Sequence, residues 1–222
     1  IKRVPVPAAW DRAGSGRRFF VFPELAGPSV SAPAVSATTE DNPATAGLIG
    51  DLVSLADKRL LLTPDDDSAT QIANLLGVPA SERFTAKDSG VGIQPFLDAP
   101  KGTLLAANRY DGMDLADEAC RIMLMAGLPR ASHLQDRFLE SKLRASEVLH
   151  ERVRTRVLQG AGRCTRGPKD WAVVVIAGED IVRFLSRAEV RQSLPVELQA
   201  EITFGLEQNQ VPADDLLLLA QS

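Results

Sequence analysis

Gln159-Gly160-Ala161-Gly162-Arg163-Cys164-Thr165-Arg166 is followed, four residues later, by Trp171-Ala172-Val173-Val174-Val175-Ile176. The second run is continuous, apolar and β-branched, the pattern of a strand buried on both faces in a parallel sheet. The first sets two arginines three residues apart, and on a helix that spacing puts both guanidiniums on one face. Permanently charged planar forks beside a parallel strand suit an anionic ligand with several oxygens, above all a nucleoside triphosphate whose charge shifts during transfer. Arginines at a helix end also complement its macrodipole, and taken alone this element leaves both uses open.

A second segment sharpens the choice. Gly102-Thr103-Leu104-Leu105-Ala106-Ala107-Asn108 reads as a short buried strand, and it runs into Arg109-Tyr110-Asp111-Gly112-Met113-Asp114-Leu115. A glycine there lets backbone approach a ligand, and an acidic residue two positions on can accept hydrogen bonds from a ribose hydroxyl. Next comes Cys120-Arg121-Ile122-Met123-Leu124-Met125-Ala126, another apolar run, closed by Gly127-Leu128-Pro129.

Together these two segments resemble the second RecA-like lobe of superfamily 2 helicases, most closely the XPD/DinG-like branch. That lobe carries a Gly-x-Asp element after one strand and a Gln-x-x-Gly-Arg-x-x-Arg element before another. The chain has Gly112-Met113-Asp114 and Gln159 through Arg166 in that order, and the likeness covers roughly residues 50–205. It implies an α/β fold, RecA-like, with a mainly parallel sheet and helices on both faces: the second motor lobe of a helicase. Arg166 would be the arginine finger, and Arg163 would hold a neighbouring phosphate oxygen or an acidic partner. Gln159 would help place the γ-phosphate or attacking water, while Gly112 and Asp114 would meet the ribose and adjacent phosphates. Thr63, Thr85, Asn108 and Arg109 would touch the DNA or RNA backbone. The implied partners are that nucleic acid and an N-terminal RecA-like lobe of the same parent protein, with ATP and magnesium bound mainly by that first lobe. No metal ligand is assigned here.

The sequence has no GxxxxGK[ST] phosphate loop and no Asp-Glu pair set at a strand end to hold magnesium. The isolated chain is therefore expected to neither hold ATP tightly nor hydrolyse it. A catalytically silent interaction module, descended from such a lobe and binding through its charged helix and leucine-rich tail, is the alternative.

Elsewhere, periodicity supplies the remaining elements. Residues 1–46, punctuated by Pro5, Pro7, Pro23, Pro28, Pro33 and Pro43, read as an extended connecting segment with a strand-like island at 18–22, and residues 47–222 as the RecA-like domain with its helical tail. Helices are expected over 46–56, over 69–76 with Ser68 as cap and Gly77 as stop, over 93–97 and over 132–160. Three more, at 181–185, 195–206 and 213–219, form the tail. Strands are expected at 59–63, 83–86, 103–107, 121–125 and 171–176. Strands alternating with helices argue for a layered α/β fold.

Composition sets limits. A chain of 222 residues can build an ample core, and a net charge of −4 lacks the basic balance of an autonomous nucleic-acid binder. Arginine outnumbers lysine, which fits the codon bias of a GC-rich genome before it fits phosphate recognition; a bacterial source is expected. Cys120 and Cys164, without CxxC spacing, make neither a disulfide framework nor a zinc or iron–sulfur site, and point to a reducing cytoplasm. His133 and His150 lie in charged helical sequence and read as surface. The cluster Arg152, Arg154 and Arg156 reads as a solvated face. No apolar run has the length of a membrane span, so no membrane partner is expected.

Overall fold

The computed structural model describes residues 16–26, 43–85, 92–108, 115, 119–128, 146–165, 170–208 and 220. Six strands make one sheet: β1 (Arg17–Val21), β2 (Lys58–Thr63), β3 (Arg83–Thr85), β4 (Gly102–Ala107), β5 (Ile122–Ala126) and β6 (Trp171–Ala177). Their order is β1-β6-β5-β2-β4-β3, and every neighbouring pair is parallel. The central strands β2, β5 and β6 are buried nearly end to end, as their uninterrupted apolar runs require.

Side-chain alternation sorts the core into two layers. On one face, Phe20, Leu60, Leu62, Leu104, Met123, Met125, Val174 and Ile176 share a cluster with residues of α3 (Gln94–Asp98), α4 (Ser146–Ala161), α5 (Glu179–Leu185), α6 (Ala188–Gln192) and α7 (Val196–Gln208). On the other, Val21, Leu61, Ile122, Leu124, Val173 and Val175 meet Leu48, Ile49, Leu52 and Val53 of α1 (Pro43–Val53) and Ala73 of α2 (Asp66–Leu75). Each fully buried large apolar side chain contributes about 1.5–3 kcal/mol. The two layers give the expected RecA-like arrangement, with helices on both faces of a parallel sheet.

The island at 18–22 belongs to this sheet. Arg17 through Val21 pair with Trp171 through Val175, and Phe20 and Phe22 are fully buried, so the sheet begins inside the segment assigned from sequence to a connector. Proline-rich flanks hid a strand whose aromatic residues needed the sheet as a partner. Its outer side is closed by α7: Glu201 accepts hydrogen bonds from the Arg18 backbone N–H at 3.2 Å and from Arg18 Nε at 2.7 Å. Gly205 lets the helix come this close, because a Cβ there would lie 2.3 Å from the Phe20 carbonyl oxygen.

One local detail differs from expectation. Helix α2 is capped by Asp65, whose carboxylate accepts from the Ser68 N–H at 2.8 Å, so Ser68 lies inside the helix rather than capping it. Gly77 follows with φ +63°, the left-handed conformation that ends the helix as expected. Helix α4 accounts for the second half of the expected 132–160 helix, whose first half lies outside the described residues, as does the expected helix 213–219. Buried Arg59 ties three elements at the base of the sheet. It donates to Thr103 Oγ1 at 2.9 Å and to the Val53 carbonyl at the end of α1 at 3.2 Å, with Glu82 at 3.7 Å.

Candidate nucleotide and nucleic-acid sites

The arginine element starts where α4 ends. Gln159 is exposed on the last turn, Gly160 and Ala161 are buried, and the Arg163 N–H donates to the Gly160 carbonyl at 2.9 Å, closing the turn. The helix stops at Ala161, so Arg163 stands beyond it and the pair is not the helical couple that its spacing suggests. Two glycines within three positions weaken the helix at this point. Arg163, Cys164 and Thr165 are then buried in succession, at 6%, 0% and 5% exposure. Arg166 lies outside the described residues.

Two contacts fix this element to the fold. The Leu115 N–H points to the Arg163 carbonyl at 3.4 Å, a long hydrogen bond, and Leu115 is itself wholly buried. Leu115 directly follows Asp114 in the sequence. Gly112, Asp114 and Arg109 themselves fall outside the described residues. The second contact is between thiols: Cys164 hydrogen-bonds with Cys120, and that bond, with burial second, pushes the Cys164 thiol well above its usual range. Cys120 donates in turn to the Ile122 carbonyl at 3.1 Å, at the foot of β5. Both thiols are free and buried, and they serve as packing pins. Sequence alone could not pair them, because they are far apart in the chain and carry no spacing motif.

The other group of candidates collects at the opposite end of the strands. Thr63 ends β2, Asn108 follows β4 and Thr85 ends β3, on three adjacent strands. The Asn108 N–H donates to the Thr63 carbonyl at 2.8 Å, so these two meet. Asn108 takes a left-handed φ of +49°, uncommon outside glycine, and its Oδ1 is buried with no hydrogen-bond partner among the described residues. Thr63 is fully buried and its hydroxyl donates to the Asp65 carbonyl at 2.8 Å, which fits a local backbone role. Thr85 is half-buried on the edge strand.

Electrostatics at this corner is adverse to phosphate. Pro64 has no N–H, and Asp65, Asp66 and Asp67 stand exposed directly beyond Thr63. Further along the same edge, Glu24 accepts from the Gly178 N–H, and Asp180 accepts from Leu128 N at 3.2 Å and Ile181 N at 2.8 Å. Burial holds the Glu24 carboxyl above its ordinary value against the Gly178 hydrogen bond, and Asp180 adds to the rise. Among the described residues no group of three or more His, Cys, Asp or Glu converges to hold a metal, so no magnesium ligand is assigned. Gln159 is exposed at the end of α4, shortly before the buried run Arg163 to Thr165. No helix among the described residues is long and apolar enough to cross a membrane.

A six-stranded parallel sheet with helices on both faces, and an arginine element packed against the strand that follows a Gly-x-Asp segment, define a RecA-like lobe. Residues 77–200 match the helicase C-terminal domain family, and the chain belongs to that family. Among solved structures it is similar to an XPD helicase (TM-score 0.52, 12% identity, 74% of this chain and 32% of that one). It is similar also to an apo XPD (0.53, 13%, 78% and 37%) and to Xpd4 of S. tokodaii (0.51, 12%, 89% and 39%). At such identities the likeness is one of fold, and the chain spans about a third of the length of these proteins. No curated protein matches in sequence.

Proposed function

We propose that the chain is the C-terminal motor lobe of an ATP-dependent helicase or translocase, and that it supplies an arginine element to an ATP site completed by an N-terminal RecA-like lobe. The observation that supports this best is the Leu115–Arg163 backbone contact, which joins the two sequence elements the assignment rests on. ATP, when bound, supplies the phosphoryl group whose transfer to water drives the cycle.

Arg166 holds the charge that spreads over the transferring group, acting as the finger. Arg163, buried and engaged within the lobe, sets the base from which that finger is aimed. Gln159, exposed at the helix end, orients the γ-phosphate or attacking water. Gly112 and Asp114 receive the ribose side. Nucleic acid crosses the other end of the strands, gripped without regard to sequence by Asn108, Arg109 and Thr85, with Thr63 bracing Asn108. The free thiols of Cys120 and Cys164 suit a reducing cytoplasm.

The acidic corner at Asp65 through Asp67 favours a second reading, a silent module descended from a motor lobe. Strand displacement by the full-length parent, on DNA and RNA duplexes, separates the two. ATP-dependent unwinding of either is the expected result, and a folded parent with neither unwinding nor nucleic-acid-stimulated hydrolysis would leave the silent module.

A further inference from the structure

All six strands run the same way, so their N-terminal ends share one edge of the sheet, away from Thr63 and Asn108. Arg17 opens β1, Trp171 opens β6, Arg121 precedes β5, Lys58 opens β2 and Lys101 precedes β4. The pairings of Arg17 with Trp171, of Ile122 with Arg59 and Val173, and of Lys58 with Gly102 hold these five within one residue of a common level. At about 4.8 Å per strand the row is about 19 Å long.

Beside the middle of the row lies a groove of about 580 Å³, walled by Leu55, Leu97 and Pro100, with Lys58 and Arg121 as donors and Asp57 and Asp98 as acceptors. That is the size of a small-molecule site. Its cations are held in place. Lys58 Nζ donates to the Leu97 carbonyl at 2.6 Å, 5.7 Å from the centre of the Phe96 ring, and an ammonium has two further protons to offer. Arg121 donates to the Trp171 carbonyl at 3.1 Å, pairs with Asp170 at 3.8 Å and sets its guanidinium 5.0 Å from the centre of the Trp171 ring. Arg121 is thus both a wall of the groove and the backing of an indole that stays 50% exposed. A large ring fixed from behind and open to solvent is a platform for stacking.

Charge along the edge decides what it takes. Asp57 and Asp98 line the groove, Asp170 faces Arg121, and Glu82 lies 3.7 Å from Lys101. An acidic peptide meets repulsion from these carboxylates, whereas a nucleobase can turn its amino group to them and its ring acceptors to Lys58 and Arg121. Phosphates then fall to Arg17 and Lys101, exposed at the two ends of the row. We infer that this edge is a second single-strand site, which takes unpaired bases on Trp171 and in the groove and their phosphates on Arg17 and Lys101. It lies at the opposite end of the strands from the nucleic-acid path proposed above, and it requires neither ATP nor an N-terminal lobe.

Binding of fluorescein-labelled single-stranded oligo(dC), whose bases carry an amino group, to the 222-residue chain in low salt tests this. In Trp10→Phe, Trp171 is the sole tryptophan, and saturating unlabelled oligo(dC) should quench its fluorescence. By anisotropy, Trp171→Ala should weaken binding about tenfold, while Trp171→Phe, which keeps a ring, should stay within about threefold of wild type. Arg17→Ala with Lys101→Ala should weaken it about three- to tenfold and flatten its dependence on salt. Unquenched Trp171 at saturation, wild-type affinity in Trp171→Ala or in the double variant, or no binding in low salt would each overturn the inference. So would displacement of the oligonucleotide by oligo-glutamate as effectively as by unlabelled oligo(dC), which would make the edge a site for acidic protein. A parent without stimulated hydrolysis would remove the motor-lobe reading and leave every one of these outcomes as it is.

Discussion

Arg163 is a buried guanidinium, whatever its spacing from Arg166 suggests. A guanidinium at 6% exposure that already has partners is committed to its own lobe, and truncating it exposes or orphans those partners. Charge near Thr63 has a different consequence. Asp66 and Asp67 are exposed at the end of β2, where nucleic acid would pass, and they contribute repulsion that salt should screen. The double variant Asp66→Asn, Asp67→Asn should bind single-stranded nucleic acid about three- to tenfold more tightly at low salt, with the gain vanishing at high salt. Fluorescence anisotropy across a salt series measures this, and equal affinity at low salt would place the nucleic-acid path away from β2.

Elements owe their positions to contacts of very different legibility. Strands β2, β4, β5 and β6 were readable because burial on both faces demands unbroken apolar runs, and those runs are in the sequence. β1 was visible only as an island, since its membership depends on pairing with a strand some 150 residues later and on Glu201 capping its free N–H. The arginine element was readable by type and order. Its departure from helical geometry and the thiol pair beneath it were not, because each depends on packing rather than on a local pattern. At the far edge, Glu24 joins the end of β1 to the start of α5, and the sign of its effect can be worked out. Its folded carboxyl titrates above the ordinary 4.5, so its contribution to stability is full below that value and is lost as pH rises through the folded pKa. Glu24→Gln keeps an acceptor for the Gly178 N–H and removes the charge facing Asp180. It should raise Tm at pH 7 by about 2–5 °C, with the advantage shrinking toward pH 4.5. A lower Tm at pH 7 would show that the carboxylate is favourable where it stands.

The whole molecule is an acidic lobe, with net charge −4, to which the proposed function gives one side of a nucleotide site. Alone, it should neither hydrolyse ATP nor hold nucleic acid except weakly and in low salt, because the triphosphate cradle is not among its residues. The account therefore stands or falls on what the arginine element does once an N-terminal lobe faces it. Steady-state hydrolysis by the full-length protein with saturating nucleic acid, wild type against Arg166→Ala, measures this most directly. The account predicts that kcat falls by roughly a thousandfold while ATP affinity changes little, and that Arg166→Lys does not restore it, since a point charge cannot reproduce the planar fork. Arg163→Ala should lose turnover together with thermal stability. Wild-type turnover in Arg166→Ala would contradict the account and reduce the element to a cluster of charge at a helix end.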